Sequence, residues 1–300
     1  MFNMNWKRIT LISSLIFVLF VAGCGTNTSD SNNEEEDTSL VGDGQEIELT
    51  LVNWESEIAS TNVVAKVLED LGYKVTITPV DMSIMWESVV SGEADGMVAA
   101  WLPGDMKAQY EEYGDDVVDL GPNLEKAKIG LVVPSYMDVD SIEDLDDQVD
   151  KAITGIDPGA GVVTAAEDAI EDYDNLNDWE VQVSSDGAMV TALGQAYENE
   201  EPIIVTGWSP HWKFSSYDLK FLEDPEGSFG DEQYISTMVR EGLEEDMPEA
   251  YQVLDEFYWT AEDMEEVMLD MSEGTDPEDA ASKWIENNQD KVDEWIEGIE

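Results

Sequence analysis

Histidine, cysteine and positive charge are all scarce in this 300-residue chain: one histidine, one cysteine, and 13 lysines and arginines against 70 aspartates and glutamates. The single cysteine, Cys24, excludes an internal disulfide. One histidine and one cysteine also exclude any metal site rich in those ligands, and a Cys24 that carries lipid, as its context below implies, leaves no thiol for a Cys-His catalytic pair. A Ser-His-Asp triad would need His211 as its base, and no G-x-S-x-G elbow accompanies it. His211, in "WSPH", fits better as a residue that ties down a turn. The formal net charge of −57 removes nucleic acid and acidic membrane surfaces as partners. Such a charge is that of a solvated, halophile-like shell and says little about chemistry. The acidic stretch "DVDSIED", residues 138–144, lacks the glycine that a calcium loop carries at its sixth position and reads as part of that shell. No catalytic residue, metal or cofactor is expected.

The cysteine has a context of its own. In residues 1–23, Lys7 and Arg8 precede a mostly apolar run from Ile9 to Ala22 that is too short to span a bilayer. That is a signal peptide, and "VAGC" resembles a lipobox, which makes Cys24 the expected lipidated, palmitate-bearing first residue of the mature protein. Removing residues 1–23 takes away two cations, so the charge becomes −57 − 2 = −59. Residues 24–45 are small, polar and acidic and read as a disordered tether. The folded body is therefore expected outside the cytoplasmic membrane, held there by lipid.

From residue 46 the pattern becomes globular. "IELTLVNW" alternates apolar residues at Ile47, Leu49 and Leu51, which suits a strand. A helix follows with Val63, Val64, Val67, Leu68 and Leu71 on one face and Gly72 at its end. A strand "YKVTITPV", a helix and a strand "GMVAAW" complete a βαβαβ unit. The order then repeats: "AITGID", a helix, "WEVQVS", a helix and "PIIVTGW". Each unit ends in a tryptophan with a proline two residues on, "AAWLPG" and "VTGWSPH". Alternating strands and helices predict an α/β fold of two lobes, each a mainly parallel sheet flanked by helices, with a hinged cleft between them. The expected bounds are 46–134 for lobe 1 and 135–235 for lobe 2, with hinges near residue 134 and near residues 225–240. Residues 236–300 are expected to be C-terminal helices packed on lobe 1.

Ten tryptophans stand out in such a chain. Trp86, Trp259, Trp284 and Trp295 lie on helical faces and Trp179 leads a strand, so these five read as core. Trp54, Trp101 and Trp208 each close a strand where a loop begins. In parallel sheets, ligands bind beyond the carboxyl ends of strands. Three indole faces there form a cage that attracts a cation, and a quaternary ammonium, with diffuse charge and no donor, suits it. Sugar stacking is the rival use of such rings, but these strand ends carry few of the side chains that hydroxyls require. "GIDPGAGVV", residues 155–163, runs from strand end to helix start. It serves equally as a tight turn or as an anion site, with the amides of Gly161 and Val162 as donors. A cation cage facing an anion hole would hold a zwitterion.

Five stretches, "WESEIASTNVVAKVLEDLGY", "SGEADGMVAAWLP", "KIGLVVPSYM", "GIDPGAG" and "IIVTGWSPHWKF…YDLKFLEDP", carry a specific resemblance from about residue 47 to 298. The chain resembles the glycine betaine-binding lipoproteins of ATP-driven osmoprotectant importers, the substrate-binding proteins of the OpuA type. Members exist with their two halves in either order, and here the "NWESEIAS" half comes first. The resemblance implies a type II periplasmic-binding-protein-like fold and no enzymatic activity. It also implies a monomer that passes its ligand to an ABC permease with its ATPase. It assigns Trp54, Trp101 and Trp208 to the trimethylammonium group, and Gly161 and Val162 to the carboxylate. Relatives carry a carboxylate-binding histidine five residues after the "AWLP" tryptophan; this chain has Met106 there. His211 is a different position and does not replace it. The alternatives from other classes are an extracytoplasmic hydrolase, a sugar-binding protein and an osmolyte receptor.

Overall fold

The computed structural model describes residues 40–299, so the signal peptide, Cys24 and most of the tether lie outside the described residues. The rest of the tether corrects an expectation: residues 40–45 belong to the folded body. Gly42 N–H donates to the Leu71 carbonyl and Gly44 N–H to that of Gly72, both at 2.9 Å. Gly72 has φ 96°, and a Cβ there would lie 2.5 Å from the Leu40 Cβ. The glycine that ends the first helix thus also makes room for the turn at Leu40.

Lobe 1 starts with β1 (Glu46–Leu51), α1 (Glu55–Asp70), β2 (Lys74–Pro79), α2 (Met82–Ser91), β3 (Gly96–Leu102) and α3 (Lys107–Tyr113). β1 pairs in parallel with β2 and with β3. The alternation read in β1 is real: Ile47, Leu49 and Leu51 are buried, and α1 covers them with Val63, Val64, Val67 and Leu68. β4 (Val118–Pro134) then crosses to lobe 2, which holds β5 (Ala152–Thr154), α4 (Gly161–Asp172), β6 (Glu180–Gln182), α5 (Asp186–Glu198), β7 (Val205–Ser209), α6 (Lys213–Ser216) and β8 (Leu219–Phe221). β5 lies parallel to both β6 and β7. The chain returns to lobe 1 as β9 (Gln233–Val239), followed by α7 (Leu243–Asp246), α8 (Pro248–Glu256), α9 (Ala261–Ser272), α10 (Pro277–Asn287) and α11 (Gln289–Trp295).

The strand order is β2-β1-β3-β9-β4-β7-β5-β6, with β8 on β4. Two features differ from the expected layout. β4 changes partners between Ala127, opposite Gln233, and Lys128, opposite Ser209, so the first crossing comes before residue 134. β9 occupies a segment expected to be hinge and helix. It is antiparallel between β3 and β4 and buried along nearly its whole length.

The C-terminal helices α8, α9 and α10 pack on α1. Asp276 accepts from Glu278 N–H at 3.2 Å, with Pro277 in the first helical position, which starts α10 cleanly. Its apolar face meets an aromatic cluster. Trp284 stacks on Trp295 at 5.9 Å and meets Trp259 edge-on at 5.7 Å. All five tryptophans read as core, Trp86, Trp179, Trp259, Trp284 and Trp295, are buried.

Candidate ligand-binding site

β1, β3 and β7 deliver the three strand-end tryptophans. Trp54 is the residue before α1 and has extended backbone. Glu57 steadies that corner by accepting from Val52 N–H at 2.6 Å. Burial holds its carboxyl well above the usual range despite that bond. Trp54 and Trp208 come together across the lobes, their ring centroids 6.3 Å apart at 42°. Trp101, 2% exposed, forms no aromatic pair with either among the described residues. The indole N–H groups of Trp101 and Trp208 have no hydrogen-bond partner there. Leu102-Pro103 and Ser209-Pro210 are both cis.

A cleft of about 780 Å³ opens beside Trp54, with Asp157, Gly159 and Ser185 from lobe 2 opposite Asp81 and Met82 from lobe 1. Trp101 and Trp208 do not line it. Carboxylates bridge the lobes. Asp157 accepts from the Trp54 indole at 3.3 Å, Asp186 accepts from Glu55 N–H at 3.2 Å, and Glu55 accepts from the Trp212 indole. Trp212 had no signal in the sequence beyond its place beside His211.

Behind Trp208 lies a buried polar cluster. His211 packs edge-on against Trp208 at 5.0 Å, and its Nδ1 accepts from Lys213 N–H at 3.1 Å, which ties the turn. Its Nε2 stands 3.9 Å from Asp186 and 3.8 Å from Glu55. Burial and then the Lys213 charge push His211 down to about 4, against the pull of Asp186, so the imidazole is neutral at pH 7. Burial opposes the charge of Asp186, yet His211 and Lys213 hold its carboxyl below the usual value. Glu55 moves up, through burial and then Asp186. Lys213 is fully buried, with Nζ 4.2 Å from the Trp208 ring centroid and no hydrogen-bond partner among the described residues. Burial lowers it to about 7, partly offset by Asp186 and Glu55.

This gives a pH signature. His211, pushed down to about 4, stays neutral throughout the range from pH 7 to 9. The unfolded chain keeps a proton on Lys213 that the folded chain sheds, so stability rises with pH. Urea titrations should show a gain of about 1–2 kcal/mol across that window, and Lys213→Met should abolish it. An equal gain in the variant would assign the effect elsewhere.

The expected anion hole is where the structure differs most from expectation. α4 begins at Gly161 with no side-chain cap from its own lobe. A carboxylate from lobe 1 takes that place: Asp105 Oδ1 accepts from Val162 N–H at 2.7 Å, with Gly161 beside it. The approach is so close that a Cβ on Gly161 would lie 2.0 Å from the Asp105 carbonyl oxygen. Met106, expected at the carboxylate end, is instead fully buried in the apolar core as the residue preceding α3. The side chain that meets the amides is the one before it. Asp105 is 7% exposed, its Oδ2 has no partner among the described residues, and burial pushes it up to about 6 against the amide bonds. The described residues include no group of three or more His, Cys, Asp or Glu that could hold a metal ion.

Known proteins share this arrangement of strands and lobes. The profile of the family described as "Substrate binding domain of ABC-type glycine betaine transport system" matches residues 45–287. The glycine betaine/carnitine transport binding protein GbuC of Listeria monocytogenes is 54% identical over 176 residues, 58% of this chain and 57% of that protein. The chain thus aligns with a little over half the length of that curated relative. The crystal structure of lactococcal OpuAC, closed around glycine betaine, is 51% identical with a TM-score of 0.82, over 84% of this chain and 100% of that one. An ABC-transporter choline binding protein in complex with choline is 25% identical with a TM-score of 0.79, over 85% of this chain and 92% of that one. The profile match runs from the residue before β1 to the end of α10 and so takes in both lobes; the chain belongs to the family of substrate-binding domains of ABC-type glycine betaine transport systems.

Proposed function

We propose that this protein is the extracytoplasmic binding component of an ATP-driven importer. It captures a quaternary ammonium osmolyte of the glycine betaine and choline class and passes it to a permease and ATPase. Trp54, Trp101 and Trp208 are its cage, and Cys24 is its lipid anchor. The observation that carries the reading is the meeting of Trp54 and Trp208, one from each lobe, 6.3 Å apart. Neither lobe alone presents both rings, so ligand affinity is coupled to closure. The carboxylates around the rings, Asp157, Glu55 and Asp186, add a negative field that favours a cation. The family is one of transport binding domains, which leaves hydrolysis without support.

Calorimetry against glycine betaine, proline betaine, carnitine, choline and ectoine tests the ligand class. Binding of none of the methylated ammonium compounds, or product formation from any of them, would reject the reading. Scattering tests closure: the radius of gyration should fall when a binding ligand saturates the protein. An unchanged curve would count against a hinged clamp.

A further inference from the structure

Asp105 does something that the family reading leaves unexplained. Its carboxylate crosses from one lobe and caps the amide end of α4 in the other. That is the position where the carboxylate of a zwitterionic ligand was expected. Resting on the quaternary ammonium reading above, we propose that Asp105 is a built-in occupant of the Gly161–Val162 anion hole, and that the site selects quaternary ammonium ions lacking a carboxylate over betaines.

The argument is geometric first. Val162 N–H already donates to Asp105 Oδ1 at 2.7 Å. Gly161 is pressed so closely by the Asp105 backbone that no room for a second carboxylate remains between them. A betaine must therefore evict Asp105 or place its own carboxylate beside it, where like charges repel at short range. A cation without a carboxylate meets neither obstacle. It also compensates a negative charge that this site buries: Asp105 is 7% exposed and its Oδ2 has no partner among the described residues. The burial-driven rise of its carboxyl to about 6 reports the cost of holding that charge without a neighbouring cation. The unpartnered Oδ2 can accept one hydrogen bond, and an alcohol on the ligand supplies the donor. A trimethylammonium alcohol thus offers a cation for the rings and a hydroxyl for Asp105.

Calorimetry with choline, glycine betaine and tetramethylammonium on the full folded protein tests this. The wild type should bind choline at least tenfold more tightly than glycine betaine. Asp105→Ala should move the ratio of the two affinities at least tenfold toward glycine betaine, because the amides become free. Asp105→Asn keeps the acceptor and the fold while removing the charge, and should shift the ratio in the same direction by less. A wild type that prefers glycine betaine, or a ratio that stays put in the folded Asp105 variants, overturns the proposal. In that case tetramethylammonium binding that is lost in Trp208→Ala still upholds the cage. If none of the three compounds binds, the cage falls and this proposal falls with it.

Discussion

Replacing Trp208 by alanine is expected to weaken quaternary ammonium binding by about 1–3 kcal/mol in the protein that remains folded. Replacing Trp284 by alanine is expected to cost about 3–5 kcal/mol of stability and leave the affinity of the folded fraction unchanged. Both residues are large, aromatic and buried, at 4% and 1% exposure, so burial does not separate them. Their surroundings do. Trp284 is enclosed by Trp259 and Trp295, its face and edge both occupied by other rings, and its loss leaves a cavity that the helices of lobe 1 cannot fill. Trp208 is packed by His211 at its edge and Lys213 over its ring, but it alone of the two meets a ring from the opposite lobe, Trp54. The cage reading further requires a π face and not merely bulk. Phenylalanine at Trp54, Trp101 or Trp208 should therefore retain more affinity than leucine. Leu and Phe variants that bind alike at all three positions would remove the cation–π basis of the site.

The parallel strands were legible because their residues obey local rules. Ile47, Leu49 and Leu51 alternate, and Gly72 and Gly92 end the helices that follow, at positive φ. The antiparallel strands were not. β4 carries Gly121 and Pro122 within its first half, and its register shifts between Asp119 and Gly121, between Pro122 and Leu124 and between Glu125 and Ala127. Each bulge resets the period of two on which strand reading depends. β9, "QYISTMV", is buried on both faces, so it shows no clean polar alternation.

The site divides the same way. Trp54, Trp101 and Trp208 stood out in the sequence because each closes a strand where a loop begins, and the structure brings Trp54 and Trp208 together. Asp105 did not, because one carboxylate among 70 acidic residues looks like another member of the shell. Its single sequence signal was position, in "WLPGDM" immediately before Met106. Only the backbone path after the cis Leu102-Pro103 bond shows which of the two neighbouring side chains meets the amides and which enters the core.

Gly161→Ala is expected to reduce ligand affinity by about 2–3 kcal/mol, roughly a hundredfold, while leaving lobe 2 as stable as before. The two effects have separate origins. Within lobe 2, Gly161 is the first residue of α4, and alanine favours helix more than glycine does by as much as about 1 kcal/mol. The substitution therefore carries no penalty for folding. Between the lobes, the added Cβ would lie 2.0 Å from the carbonyl oxygen, 2.3 Å from the Cα and 2.5 Å from the carbonyl carbon of Asp105. These are backbone atoms of a loop held on its other side by Gln233, which accepts from Asp105 N–H at 3.1 Å. The loop cannot swing aside as a flexible side-chain tip would, so the lobes must part. Parting them separates Trp54 from Trp208 and Asp157 from Trp54, and binding that depends on closure is lost with it. Denaturation and calorimetry on one sample read the two effects apart. Scattering should find the variant expanded with or without ligand. An alanine variant that binds within twofold of the wild type would mean that the Asp105 loop and the start of α4 do not meet in the bound protein. The closed contact between the lobes would then have to be sought elsewhere, at Asp157 and Asp186.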